Sequence, residues 1–218
     1  MVDGIIFDMD GVLLDTETYG MDLSIRLAAR FGYTLTPEMY RQTLGTPNLR
    51  SKEILQGYLG PAYPYEAVWD AFREELMALA REDRLPKKPG LGECLTGLQE
   101  RSIPLALATS TPRYVVEVYL EHIPELRGAF AAVVCGTDVT QGKPAPDIFL
   151  LAARRLGVSP QRCLGVEDST TGLTGLKAAG IPSVMIPDLI PYNDSMQELV
   201  TYRLSSLEEL CPLVDRLR

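Results

Sequence analysis

The sequence predicts an α/β fold: a doubly wound parallel sheet with a small all-helical domain inserted after its first strand. Three observations carry that prediction. Short apolar runs recur along the chain, each closing on polar or glycine residues. Helical patterns alternate with these runs from about Leu91 onward. Between the first run and the second, by contrast, the chain holds only helical spacing.

The first run, residues 4–7, leads into Asp8. Four residues with no polar member suit a strand buried on both faces. Next, Leu23, Leu27 and Phe31 recur every four residues, as do Val68, Phe72 and Leu76, with a shorter pattern over 54–59. These describe a helical insert over 15–85, bounded by Asp15-Thr16 and Leu85-Pro86. It is too long for a βα loop, so it is expected to form its own small cap domain, leaving 1–14 and 86–218 as the core. Within it Trp69, Phe72, Tyr58, Tyr63 and Tyr65 are read as the cap's own core.

Further strands are predicted at 104–108, 131–135, 163–166 and 182–186. Between them, Thr111-Pro112 reads as a helix start, cap followed by Pro at the first helical position. Asp147 is read as the cap of a helix ended by Gly157, and a helix over 171–179 is stopped by Gly180, with Ser169 as a cap or turn residue ahead of it. Ser206 and Glu209 have capping-box spacing ahead of Leu207, Leu210 and Leu213. Strand and helix in alternation specify a doubly wound, Rossmann-like core.

Composition excludes several functions. The chain has 218 residues, 46% hydrophobic and 23% charged, ordinary values for a globular chain. Lys and Arg number 21 against 29 Asp and Glu, a net charge of −8 that disfavours nucleic acid as a partner. Cys94, Cys135, Cys163 and Cys211 are too far apart for a CxxC motif and are expected to be reduced and mostly buried. The single histidine, His122, cannot build a multi-histidine metal site and is read as a helix-surface residue. No apolar run approaches the ~18 residues of a membrane span, and no targeting segment is visible. A cytoplasmic monomer is the expectation.

Ligands of an open parallel sheet bind outside the carboxyl ends of its strands. The polar residues there are Asp8 and Asp10, Thr109 and Ser110, Lys143, and Glu167 and Asp168. Four carboxylates suit a hard divalent cation, while one lysine and two hydroxyls suit phosphate oxygens. Magnesium commonly binds through one or two carboxylates together with substrate phosphate. The set is what magnesium-dependent phosphoryl transfer needs.

Four segments then make a resemblance plain: residues 7–17 (FDMDGVLLDTE), 108–113 (ATSTPR), 142–147 (GKPAPD) and 165–169 (GVEDS). In this order, each after a predicted strand, they resemble the motifs of the haloacid dehalogenase superfamily. The likeness is to its β-phosphoglucomutase-like phosphatases with a helical cap, and it spans essentially the whole chain. It implies that Asp8 is the nucleophile, forming an aspartyl-phosphate. Asp10, two residues on and facing the same side of an extended segment, resembles the general acid and base. Thr109, the Ser110 amide and Lys143 resemble the phosphate-binding groups. Asp8, the Asp10 carbonyl and Asp168 resemble the Mg2+ ligands, with Glu167 a ligand or outer-shell partner. Thr16, Glu17 and Arg50 are candidates to face the substrate. Arg50, which follows the turn over 44–47, is equally readable as a solvated residue at a helix start. Arg113 divides in the same way between a substrate contact and a solvated helix position.

The implied substrate is a small phosphorylated metabolite, a sugar phosphate or similar phosphomonoester. A phosphomutase is the nearest alternative. β-phosphoglucomutases tend to carry a histidine shortly after the Asp-Thr pair, where this chain has Tyr19, Gly20 and Met21; that departure favours the phosphatase. A 2-haloacid dehalogenase would need no acid at Asp10, and a phospho-receiver module would place its Asp on a middle strand without a helical insert.

Overall fold

Six short strands, β1 (Gly4–Phe7), β2 (Leu105–Thr109), β3 (Ala132–Cys135), β4 (Cys163–Glu167), β5 (Ser183–Met185) and β6 (Tyr202–Arg203), form one sheet. In the computed structural model, which describes residues 1–46 and 48–218, the strand order is β3-β2-β1-β4-β5-β6 and every pairing is parallel. Pro47, part of the turn read before Arg50, lies outside the described residues. The first strand is central, with Ile5 opposite both Leu105 and Leu164. Strand order therefore reverses beside it, and the carboxyl ends of β1, β2 and β4 lie together at the switch point. Strand β6 has no apolar run and only two residues, one half-buried and one exposed, so the hydrophobic pattern gave no sign of it.

Helices α1 (Thr16–Arg30), α2 (Pro37–Arg41), α3 (Asn48–Leu59) and α4 (Tyr65–Arg81) follow β1. Then come α5 (Leu91–Glu100), α6 (Arg113–His122), α7 (Asp147–Leu156), α8 (Thr170–Ala179) and α9 (Leu210–Leu217). Alternation along the strands sorts the core into layers. Ile5, Phe7, Leu105, Leu107 and Val166 pack with Leu95 and Leu98 of α5, Val116 and Tyr119 of α6, and Leu213 of α9. On the other face Ile6, Ala106, Ala108 and Val134 pack with Ile148, Phe149 and Ala152 of α7 and Leu176 of α8. Among the described residues no helix is long and apolar enough to cross a membrane. All four cysteines are free; Cys211 is half-buried and the others are buried.

The first four helices pack together through Leu23 and Leu27 of α1 and Val68, Phe72 and Leu76 of α4. Two neighbouring segments join them to the sheet. They run antiparallel, with Leu14 bridged to Lys87, the Asp15 amide donating to Pro86 at 2.9 Å and the Lys88 amide to Leu13 at 3.0 Å.

Several sequence expectations shift by a residue or more. Phe31 lies just beyond α1, at its C-cap, and is exposed, so the apolar face ends at Leu27 and Ala28. Asp147 is the first residue of α7 and makes no side-chain cap. Ser169 is a cap, its oxygen accepting from the Gly172 amide at 3.0 Å. Ser206 makes no side-chain cap; Glu209 instead accepts from the Ser205 amide at 3.0 Å. Helix α6 starts at Arg113, with Pro112 in the cap position and Thr111 outside it.

Phe149 is fully buried between α7 and the sheet, and its ring lies 4.9 Å from the Lys143 ammonium. Phe149→Ala is expected to lower the unfolding free energy by about 3–5 kcal/mol, as large-to-small core substitutions do. Urea denaturation of the two proteins measures it; an unchanged midpoint would show that this layer does not carry the core.

Candidate active site

Asp8 stands immediately after β1, its amide donating to Val166 of β4 at 2.9 Å. Thr109 ends β2 and Glu167 ends β4. The loop beyond β3 supplies Lys143, whose bond to Pro144 is cis. Its ammonium donates to Asp8 Oδ1 and to Glu167 Oε1, both at 2.6 Å. The second Glu167 oxygen accepts from the Asp168 amide at 3.1 Å, the Ser169 amide at 3.1 Å and the Ser169 hydroxyl at 3.0 Å. Glu167 is fully buried, and it lies so close to α8 that a Cβ on Gly172 would fall 1.7 Å from Oε1. Glycine at that position is what lets the helix start beside a carboxylate.

Asp8, Glu167 and Asp168 each offer an oxygen, and the three atoms lie within 4.8 Å of one another. One lysine against three buried carboxylates leaves negative charge uncompensated. Burial is the largest effect on Asp8; Lys143 opposes it, Glu167 and Asp10 add to it, and the carboxyl is pushed up to about 7. Burial and then Glu167 and Asp8 raise Asp168 well above the usual carboxylate range. For Lys143, burial acts downward, but the two carboxylates outweigh it and hold the ammonium above its ordinary range. A buried cluster in which Asp8 and Asp168 are both held above the ordinary carboxylate range, and which offers only oxygen ligands, fits a hard divalent ion.

Asp10 follows two residues on, and its charge adds to the pressure on Asp8. Its Oδ1 accepts from the Thr16 hydroxyl and its Oδ2 from the Thr111 hydroxyl, each at 2.7 Å. The Thr109 hydroxyl approaches Oδ2 at 3.4 Å and accepts from the Thr111 amide at 3.0 Å. Thr111, read from the sequence as a helix cap, thus gives its hydroxyl to Asp10. Two threonines fix the carboxylate between the first insert helix and the approach to α6.

These groups open onto a cavity of about 500 Å³ between the sheet edge and the four insert helices, a size suited to a small metabolite. Its floor holds Asp8, Asp10, Thr109, Ser110, Lys143, Glu167 and Asp168, and its roof includes Thr16, Glu17, Tyr40, Trp69, Phe72 and Arg73. Gly45 of the roof accepts from the Thr171 hydroxyl of α8 at 2.5 Å, so roof and floor touch. Of the aromatics read as cap core, Tyr63, Tyr65 and Phe72 are buried there but also line the cavity; Trp69 is half-buried and Tyr58 is 54% exposed.

Two sequence candidates lie elsewhere. Arg50 is exposed and ion-paired with Glu53, one turn along α3, at 2.8 Å, outside this cavity. Arg113 is bound to Asp138 and to the Val133 carbonyl, because α6 begins with its side chain turned toward β3. Arg73 of α4 was not anticipated: its guanidinium pairs with Asp70 and lies 5.8 Å from the Trp69 ring and 5.9 Å from Tyr114 of α6. Helical spacing marked its neighbour Phe72 but carried no sign that residue 73 faces a ligand space. Gly20 is covered: a Cβ there would lie 3.0 Å from the Phe72 ring and 3.1 Å from the Tyr40 hydroxyl.

Glu17 yields a pH prediction. Burial first, then Asp10, Asp188 and Asp8, push its carboxyl up to about 8 from an ordinary value of 4.5. Between those values the folded chain holds a proton that the unfolded chain has lost. Glu17 therefore makes stability fall as pH rises from about 4.5 to 8, by at most ~1.4 kcal/mol per pH unit. In chelator, Glu17→Gln is expected to match the parent near pH 4 and exceed it in unfolding free energy at pH 8. Parallel curves at all pH values would contradict the shift.

The haloacid dehalogenase-like hydrolase family matches residues 2–180. A phosphorylated carbohydrates phosphatase of Thermotoga maritima is 35% identical over 183 residues, 84% of each chain. Hexitol phosphatase B of Escherichia coli K12 is 30% identical, covering 94% of this chain and 92% of its own. The crystal structure of CbbY from Rhodobacter sphaeroides in complex with phosphate superposes with a TM-score of 0.77 at 28% identity, over 96% of both chains. With the family matched over most of its length and the fold shared end to end, the chain belongs to the haloacid dehalogenase-like hydrolases.

Proposed function

We propose that this chain is a divalent-cation-dependent phosphatase that hydrolyses a small phosphomonoester, a sugar or sugar-alcohol phosphate, through a phosphoryl group carried on Asp8. The observation that carries the reading is the single lysine shared by Asp8 and Glu167 at 2.6 Å each. It holds the Asp8 carboxylate in place and leaves the other Asp8 oxygen for phosphorus. The phosphatase names of the Thermotoga and Escherichia relatives, and the phosphate bound by CbbY, support the substrate class.

In this mechanism Asp8 attacks phosphorus, the ester P–O bond breaks, and Asp10 gives its proton to the departing oxygen. Asp10, again a carboxylate, then takes a proton from water as that water attacks the phosphorus of the aspartyl-phosphate. Inorganic phosphate leaves and Asp8 is restored. Thr16 and Thr111 keep Asp10 aligned through both halves. Lys143 and the Thr109 hydroxyl and Ser110 amide face the phosphoryl oxygens. Mg2+ would be held by Asp8, the Asp10 carbonyl and Asp168, with Glu167 behind them. Bound there, it supplies charge that lets one anion approach another. The insert helices, acting as a cap over 15–85, exclude bulk water when closed.

Gly20 bears on phosphatase against mutase. A mutase holds a sugar hydroxyl in line and keeps water out. Here residue 20 carries no side chain that could position a group, and a Cβ there would press on the Phe72 ring at 3.0 Å and the Tyr40 hydroxyl at 3.1 Å. Water is then the acceptor.

Hydrolysis of a panel of phosphorylated metabolites, with magnesium and with chelator, tests the reading. Asp8→Asn is expected to abolish turnover with the fold intact. Asp10→Asn should lower kcat by ~10²–10⁴, the usual worth of a general acid–base. Turnover that survives in Asp8→Asn, or isomerisation of β-glucose 1-phosphate faster than phosphate release, would overturn it.

A further inference from the structure

Asp188 follows β5 on the same side of the sheet and has no part in the chemistry above. Its side chain is only 7% exposed. Oδ1 accepts from the Lys88 ammonium at 2.9 Å. Oδ2 is buried and has no hydrogen-bond partner among the described residues. A buried carboxylate oxygen without a donor is costly unless something unseen satisfies it.

What that oxygen faces is fixed by Gly11. Gly11 has the left-handed φ of +79°, and a Cβ on it would lie 2.4 Å from Asp168 Oδ2 and 3.2 Å from Asp188 Oδ2. The two carboxylate oxygens thus converge on one point beside the Asp10-Gly11 backbone. Lys88 belongs to the second segment joining the insert helices to the sheet, and its ammonium also lies 3.9 Å from Asp15. Its ammonium takes Oδ1 alone, leaving Oδ2 without a partner near Asp168.

We propose that Asp188 is a positioning residue of the cation site, its Oδ2 accepting a hydrogen bond from a water molecule carried by the divalent ion on Asp8 and Asp168. This rests on the cation reading above. Magnesium dehydrates reluctantly and keeps several waters, so its site needs acceptors placed just beyond the direct ligands. An unpartnered buried oxygen facing Asp168 is such an acceptor. The rival role is structural: Asp188 merely balances Lys88 at the segment that joins the insert.

The two roles separate by sign. Mg2+ binding to the full chain is measured by titration calorimetry without substrate, for the parent, Asp188→Asn, Asp188→Ala, Lys88→Met and Asp15→Asn, with melting in chelator as a fold control. Both Asp188 variants are expected to bind Mg2+ about tenfold more weakly. Lys88→Met should bind it as well as the parent or better, since the carboxylate remains and a nearby positive charge is gone. Asp15→Asn, which removes the same charge beside the same lysine, should leave affinity unchanged. Asp188 variants with parental affinity would overturn the proposal while leaving the cation reading intact. So would equal losses in Asp15→Asn, which would mean charge alone at long range. A parent that binds no Mg2+ would overturn the cation reading and this role together.

Discussion

The site depends on one ammonium group set between two buried carboxylates. Lys143 has Asp8 on one side and Glu167 on the other at equal distances, with the Phe149 ring beneath it. Remove that charge and Asp8, Glu167 and Asp168 would repel one another in a region nearly closed to water. Breaking a buried ion pair on one side leaves an uncompensated charge, which costs far more than the pair contributes. The neighbouring structure is shaped around this constraint. Glu167 has its second oxygen filled by Asp168, Ser169 and the Ser169 hydroxyl, and α8 can begin beside it only because residue 172 has no side chain.

One lysine does not balance three acids, and this imbalance links electrostatics to function. Asp8 and Asp168 are both held above their ordinary ranges chiefly by burial. The folded chain is therefore built around a site that is incompletely neutralised by its own side chains. A hard cation bound there would resolve the conflict and offset the charge of an incoming phosphoryl group. The switch point of the sheet is where such a site can be assembled, because three neighbouring strands end there and their following residues are free to turn toward a ligand. The insert helices then supply a roof of Thr16, Glu17, Tyr40 and the α4 aromatics, and the Gly45–Thr171 contact closes roof onto floor.

The strand-end residues were legible in the sequence because the apolar runs that announce buried strands also locate their carboxyl ends. Asp8, Thr109, Glu167 and Asp168 meet for that reason, while Lys143 reaches them from the loop beyond β3. Residues whose role depends on which way a helix faces were not legible. Arg50 and Arg113 sit in the right segments, but one turns to Glu53 and the other to Asp138. Thr111 has the local signature of a helix cap, and only the approach of Asp10 from a segment about a hundred residues earlier draws its hydroxyl away. Lys88 and Asp188 are likewise far apart in the chain and carry no motif; their pairing exists only once the joining segment lies against the end of β5. Strand β6 was missed because two edge residues leave no hydrophobic pattern.

The central claim is that the buried acids need a divalent cation to coexist. The most direct test is the thermal midpoint of the full chain as Mg2+ is raised from chelator into the millimolar range at fixed ionic strength. The midpoint is expected to climb with the logarithm of free Mg2+ once the site begins to fill, as binding to the native state alone requires. In Asp168→Asn the climb should be largely lost. A parent midpoint that is the same in chelator and in saturating Mg2+ would contradict the account.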